Sequence, residues 1–241
     1  MGLAAWRNRF DAGVRRVGRR FALFVAGISP LSEAALWLAL FLALAVPIAV
    51  GWQPLTTMDS ALLRWVNRGW ASAPLDAVMR FLSSMGKMPS VWVGLLVWLA
   101  VVFWWRHRCR RASAVAWFKT VLAIAVAISL ADGLSSRVAK QLVHRERPPR
   151  LVRGVRLVDG VGRSLGFPSS HAANAFAVAR VLQSVAPPRL LWWALAVTIA
   201  LSRVYLGVHF PADSVGGALL GLSVGAFVIA IWQTASAKAR G

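Results

Sequence analysis

Residues 201–232 read LSRVYLGVHFPADSVGGALLGLSVGAFVIAIW, and this stretch carries both the fold and the chemistry. Its second half is one long apolar run, near the ~20 residues that a helix needs to cross a bilayer. Within that run Gly217, Gly221 and Gly225 recur every four residues, a small-residue stripe that lets a second helix backbone approach closely. Its first half places Ser202, Arg203, His209 and Asp213 immediately before the apolar run. A polar, reactive set at the lip of a membrane helix is costly to keep there and reads as functional.

The rest of the chain repeats the apolar signal. Apolar segments also fall at 30–51, 89–105, 117–134, 171–186 and 190–207, with the sixth at 213–232. Backbone groups cannot go unpaired in hydrocarbon, so these segments are expected to be helices. The expected fold is an all-α bundle of six transmembrane helices with its active site at the external membrane face. Composition agrees: 58% of residues are hydrophobic, 15% are charged, thirteen are tryptophan, and mean hydropathy is +0.61. The expected layout is a basic cytoplasmic segment over 1–29, a six-helix transmembrane domain over 30–232 and a cytoplasmic tail over 233–241. The run after the basic segment is too long for a cleaved signal, so the first span reads as a retained anchor.

Charge sets the orientation. The net charge is +20, from 28 Lys and Arg against 8 Asp and Glu. Arg7, Arg9, Arg15, Arg16, Arg19 and Arg20, then Arg106, Arg108, Arg110 and Arg111, then Arg189, then Lys238 and Arg240 all fall on one side of a six-span layout. That side is therefore read as cytoplasmic. The loop 137–163 breaks this rule: Arg137, Lys140, Arg145, Arg147, Arg150, Arg153, Arg156 and Arg163 lie on the opposite side. Topology does not require them there, whereas a multiply charged anion would. Nucleic acid is not the expected anion, because the basic residues sit between apolar spans and form no soluble module. Anionic membrane lipids are the expected surroundings. The lone Cys109 gives no intrachain disulfide and no cysteine metal site. The segment 55–80 mixes Leu62, Leu63, Trp65 and Trp70 with Arg64 and Arg68 at helical spacing, which fits an amphipathic helix at the membrane surface.

The chemistry follows from residue types. His209 and Asp213 are four apart, one helical face if the last helix begins here. A carboxylate beside an imidazole fixes its tautomer and leaves the other nitrogen free to attack phosphorus. Pro168-Ser169-Ser170-His171 before an apolar run marks a helix start, where Ser169 or Ser170 caps and backbone N–H groups favour anions. His171 stands there to protonate a leaving oxygen. Lys140, Arg147 and Arg203 supply cations for a transferring phosphoryl group. Arg180 and Lys119 read instead as residues reaching for lipid headgroups. Asp132 reads as a partner of Arg137 or Lys140. The carboxylates form no paired cluster and the histidines no HExxH, so the expected chemistry uses no metal and no other cofactor. A serine hydrolase is disfavoured because no GxSxG is present.

Three motifs in this order resemble a known family. KxxxxxxRP over 140–148, PSSH over 168–171 and SRxxxxxHxxxD over 202–213 are similar to those of the type 2 phosphatidic acid phosphatase superfamily. They lie within residues 140–213, and the span layout extends the similarity over most of the chain. The second motif departs from the usual PSGH in having Ser170, whose backbone N–H remains. The resemblance implies His209 as the nucleophile that forms a phosphohistidine, Asp213 as its orienting carboxylate and His171 as the general acid. It implies Lys140, Arg147, Ser169, Ser170 and Arg203 as phosphate ligands, no metal cofactor, and an inner-membrane enzyme acting on a phosphorylated lipid. The added arginines of 145–163 favour undecaprenyl diphosphate as substrate. Phosphatidylglycerophosphate, phosphatidic acid, lipid A and transfer to a second lipid are the alternatives.

Overall fold

The computed structural model describes residues 28–107, 110–160, 162 and 164–238, and among these there is no strand. Most of the basic N-terminal segment, Cys109 and Arg163 lie outside the described residues. The helices are α1 (Pro30–Ala49), α2 (Gln53–Gly69), α3 (Ala73–Ser84), α4 (Pro89–His107), α5 (Arg110–Gly133), α6 (Lys140–Val143), α7 (Pro148–Leu151), α8 (Ser170–Val185), α9 (Arg189–Tyr205) and α10 (Pro211–Lys238). A 3-10 turn, Met85–Lys87, joins α3 to α4, and a π-helical turn, Leu134–Ala139, joins α5 to α6.

All six apolar segments are helical. By length and composition three stretches suffice to cross a membrane: Pro30–Ala49, Ala114–Leu151 and Pro211–Ala235. A fourth arises if Ala73–Lys87 and Pro89–Trp105, bent by 69°, count together. The segments at 171–186 and 190–207 fall short for a simple reason. The helices α8 and α9 have 16 and 17 residues, which at ~1.5 Å per residue gives roughly 25 Å, below the ~30 Å of a hydrocarbon core.

The glycine stripe holds the bundle centre together. A methyl group at Gly217 would fall on the Ser169 carbonyl, and one at Gly221 on the Ala173 carbonyl. A methyl group at Gly225 would lie 2.9 Å from the Ala177 carbonyl. Buried Ala172, Ala173 and Ala177 answer from α8. Backbone thus meets backbone along this seam, which sets the starts of α8 and α10 side by side. Phe167, fully buried just before α8, stacks on Phe41 of α1 with ring centroids 5.7 Å apart.

The other end of the seam corrects one expectation. Arg180 does not reach outward. It is buried on α8, its Nε donates to Glu33 Oε1 at 2.8 Å and its Nη2 to Oε2 at 2.5 Å. This fork ties α8 to the first turn of α1 and compensates a charge that would otherwise be expensive inside the bundle.

The segment 55–80 forms two helices, α2 and α3, instead of one. Leu63 and Val66 of α2 and Met79 of α3 pack on Val204, Tyr205, Leu206, Val208 and Phe210. Leu62 and Trp65 remain on the outer face. The inner face therefore clamps the loop between α9 and α10. Asn67 secures it by donating to the Tyr205 carbonyl at 2.7 Å and the Arg156 carbonyl at 2.8 Å.

Candidate active site

Four helix ends meet at one pole of the bundle: the start of α8, the end of α9, the start of α10 and the α5–α6 turn. The α9–α10 loop makes its bend at Gly207, whose φ is +75°. A Cβ there would lie 2.6 Å from the Arg156 carbonyl, so a side chain is excluded both by conformation and by space. The bend delivers His209 to the interior at 1% exposure.

His209 precedes α10, which begins at Pro211, so the pair with Asp213 is not made on one helical face as expected. It is made by helix capping. Asp213, in the first turn, turns its Oδ2 back to accept from Phe210 N at 2.9 Å, as acidic residues do at helix starts. The same oxygen lies 3.4 Å from His209 Nδ1. That contact is long for a hydrogen bond, and Nδ1 has no other partner. Catalytic hydrogen bonds are often long until a ligand tightens them. Burial drives the His209 pKa down to about 4, against the upward pull of Asp213, so the ring is neutral at pH 7.

Arg145 holds Asp213 in place. It donates to Asp213 Oδ1 at 2.8 Å and to Asp59 Oδ2 at 2.6 Å, while its guanidinium sits 4.2 Å from the Phe210 ring centre. Asp59 in turn accepts from Ala212 N at 2.8 Å. The sequence reading had counted Arg145 among cations awaiting a substrate. The structure gives it to the protein's own carboxylates. Arg156 and Arg150 are likewise engaged, with Asp76 and Glu146.

The three motif cations behave differently. Lys140, Arg147 and Arg203 are 5%, 6% and 7% exposed, yet none makes an ion pair with a carboxylate among the described residues. Arg147 donates to the Ser164 carbonyl at 2.7 Å, to Ser164 Oγ at 2.9 Å and to the Val208 carbonyl at 3.3 Å. Lys140 Nζ reaches Ser164 Oγ and Ser170 Oγ, both at 3.3 Å. Arg203 donates through Nη1 to Ser83 Oγ, and its Nε has no partner. Lys140, Arg147 and Arg203 feel one another electrostatically, and His171 feels Arg203 and His209. The motif residues thus form a single cluster.

The serines divide. Ser169 stands at the cap of α8 but bonds no backbone N–H with its side chain, and its fully buried Oγ has no partner. Ser170 is the first helical residue. Its Oγ meets Ser135 Oγ at 2.9 Å and Ser136 Oγ at 3.1 Å, both from the π-helical turn. Such turns place side chains where an ordinary α-turn would not. Asp132 makes no ion pair with Arg137 or Lys140. It lines a mostly apolar cavity of about 600 Å³ that also touches Ser170, His171 and Asn174. The cavity continues past Trp92, Trp98 and Trp192, and Asn174 Oδ1 is left without a partner beside it.

With this geometry stand the comparisons. The model of the PAP2 superfamily matches residues 121–237. A decaprenylphosphoryl-5-phosphoribose phosphatase of Mycobacterium tuberculosis is 34% identical over 63% of this chain and 77% of its own. The chain belongs to the PAP2 superfamily. An undecaprenyl-diphosphatase of Sulfolobus acidocaldarius is 29% identical over 83% of this chain and 92% of its own. A lipid A 4'-phosphatase of Bacteroides thetaiotaomicron is 38% identical over 42% of this chain and 48% of its own, so the chain spans about half the length of that relative. The crystal structure of a transmembrane PAP2 type phosphatidylglycerolphosphate phosphatase from Bacillus subtilis superposes with a TM-score of 0.61 at 24% identity, over 84% of this chain and 96% of that one. That likeness establishes the fold, and with the apolar helices it makes this PAP2 chain a membrane protein.

Ser164, Arg145, Asp59, Ser83 and Asn67 were not singled out as site residues by sequence. Only Arg145 carried a signal, standing two residues before Arg147. The others are ordinary polar residues whose importance depends on which elements fold against them.

Proposed function

We propose that this PAP2 protein hydrolyses a phosphate from a membrane lipid phosphate through a phosphohistidine, without a metal. One observation carries the reading: three nearly buried cations lack any carboxylate partner beside a buried histidine–aspartate pair. Buried charge is tolerated when compensated, and a phosphate dianion supplies the compensation. In this reading Lys140, Arg147 and Arg203, with Ser169 and Ser170, hold the phosphate oxygens. The starts of α8 and α10 add their positive ends.

His209 attacks phosphorus in line with the leaving oxygen. Asp213 holds the ring through Nδ1 and offsets the charge that develops on it. His171 gives a proton to the leaving oxygen, then takes one from the water that attacks the phosphohistidine. Metal-free chemistry is supported by where the carboxylates beside His209 are spent, Asp213 on His209 and Arg145, Asp59 on Arg145 and Ala212 N, which leaves Asp132 as a lone carboxylate on the cavity wall.

The 600 Å³ cavity suits the apolar part of the lipid, since tryptophan and aliphatic side chains line it as far as Pro188 and Leu191. A polyprenyl carrier is the first substrate, undecaprenyl diphosphate giving undecaprenyl phosphate, in line with the polyprenyl substrates named for two relatives. The arginines of 145–163 no longer support that choice, because Arg145, Arg150 and Arg156 are bound internally. Phosphatidylglycerophosphate, phosphatidic acid and lipid A remain as alternative substrates, and transfer to a lipid hydroxyl as the alternative reaction. The chain is further proposed to have six spans over 30–232, cytoplasmic termini and an external site in the inner membrane. Supporting this, Arg189 begins α9 while Arg203 of the site stands in its last turn, so that basic residue lies at the helix end away from the site. The test is phosphate release from undecaprenyl diphosphate by purified protein in EDTA. Release by the wild type and none by His209→Ala supports the reading; no release from any lipid phosphate overturns it.

A further inference from the structure

The cavity wall next to His171 holds a cation that no motif contains. Lys87 ends the 3-10 turn between α3 and α4, and it lines the same cavity as Ser170 and His171. It is close enough to His171 to act on it electrostatically. Among the described residues it makes no ion pair, in contrast to Arg145, Arg150, Arg156 and Arg180. The turn is held on both sides. Ser83, in the last turn of α3, accepts from Arg203, and the Gly86 carbonyl accepts from Trp92 Nε1 at 2.9 Å. Lys87 is thus an exposed cation lining this cavity, carried on a turn held at both ends and apart from the buried Lys140, Arg147 and Arg203.

We propose that Lys87 binds the phosphate that stays with the lipid, and so makes this site prefer lipids carrying a second phosphate next to the scissile one. The inference rests on the lipid phosphatase reading above and names the substrate class for it. When His209 forms its N–P bond to the terminal phosphorus, the P–O bond to the bridging oxygen breaks. The bridging oxygen keeps the bonding pair and departs as part of a lipid monophosphate. Water then forms an O–P bond as the N–P bond breaks, its proton passing to His171, and inorganic phosphate leaves. A phosphate leaving group spreads its negative charge and needs a cation more than a proton. A leaving alkoxide needs the proton of His171, and where the lipid carries no second phosphate it offers Lys87 nothing to bind. Asp132, on the α5 wall of the same cavity, repels a second phosphate and confines it to the Lys87 side. Two lipid chemistries share the required feature: a diphosphate, and a phosphorylated headgroup joined to its lipid by a phosphodiester.

The experiment compares wild type, Lys87→Gln and Lys87→Arg on undecaprenyl diphosphate and on phosphatidic acid in detergent micelles. The expected result is a fall in kcat/KM of about tenfold or more for the diphosphate in Lys87→Gln, the scale of one lost charge-assisted contact. Phosphatidic acid turnover stays within about twofold of wild type, and Lys87→Arg recovers most of the diphosphate rate. Decaprenylphosphoryl-5-phosphoribose as a third substrate separates the sources: loss there too means that a phosphodiester is read, and no loss means a diphosphate. Equal loss on phosphatidic acid, or no loss on either phosphate-rich lipid, overturns the assignment of Lys87 alone. A wild type that releases phosphate from none of these lipids overturns the phosphatase reading and this one with it.

Discussion

Two ends of the α8–α10 seam treat buried positive charge in opposite ways. At one end Arg180 is locked in a fork with Glu33; at the other Lys140, Arg147 and Arg203 are buried to the same degree with only neutral partners. The first arrangement stabilises a fold. The second leaves buried charge uncompensated by the protein, which in the proposed reading a phosphate offsets. A cation's use in this chain is thus decided by the presence or absence of a carboxylate beside it. Arg145 joins both worlds, since its carboxylate partner Asp213 also faces His209.

Substitutions can break this comparison. The largest effect is expected for His209→Ala, which removes the nitrogen proposed to attack phosphorus and should lower phosphate release by ~10⁴-fold or more. Its thermal unfolding should stay near wild type, read by circular dichroism in detergent. Arg203→Ala should cost ~10²–10³-fold in kcat/KM. It should also abolish the rise in Tm that millimolar vanadate or inorganic phosphate gives the wild type. Unchanged ligand stabilisation would show that the unpaired cations are not the anion site.

Arg180→Ala should do the reverse. It strands Glu33 and should cost about 3 kcal/mol of stability, seen as a lower Tm, while kcat per folded molecule changes less than about twofold. A large kcat loss without a Tm loss would erase the distinction between the two ends. Asp59→Asn loosens Arg145 and should produce intermediate losses in both readouts.

The smallest effect sharpens the picture through pH. Burial lowers the His209 pKa to about 4 in the folded protein, whereas an unfolded histidine titrates near ~6.5. The unfolded state therefore binds the proton first as pH falls. Stability from this group is complete above about 6.5 and is lost progressively as pH drops through the folded value. The free enzyme's acid limb of kcat/KM should accordingly lie closer to pH 4 than to 6.5. A His209 ring that titrates near ~6.5 by NMR would mean that it is solvated.

Much of the site was legible because its residues sit in short motifs at fixed offsets from apolar runs. His171 and Arg203 fall where helix ends had to be. The glycine stripe was legible for the same reason, since a period of four can only face a helix. What escaped was pairing over distance. Asp59 meets Arg145 across 86 positions and Glu33 meets Arg180 across 147. No local pattern reports which cation a distant carboxylate will take. Asp132 shows the error in the other direction: proximity in sequence to Lys140 suggested a pair that the π-helical turn does not make.

By itself the sequence determined that the chain builds apolar helices, that small residues let two of them touch, and that two histidines and three cations fall in short motifs beside those helices. These follow from local composition and period, which act over a few residues. Only the tertiary structure decided which arginines are paired with carboxylates and which are buried without one. It alone formed the His209–Asp213 contact from a capping turn, and opened an apolar cavity beside His171. Charge compensation and cavity shape depend on what packs against a residue from elsewhere in the chain, and that is fixed only when all the helices meet.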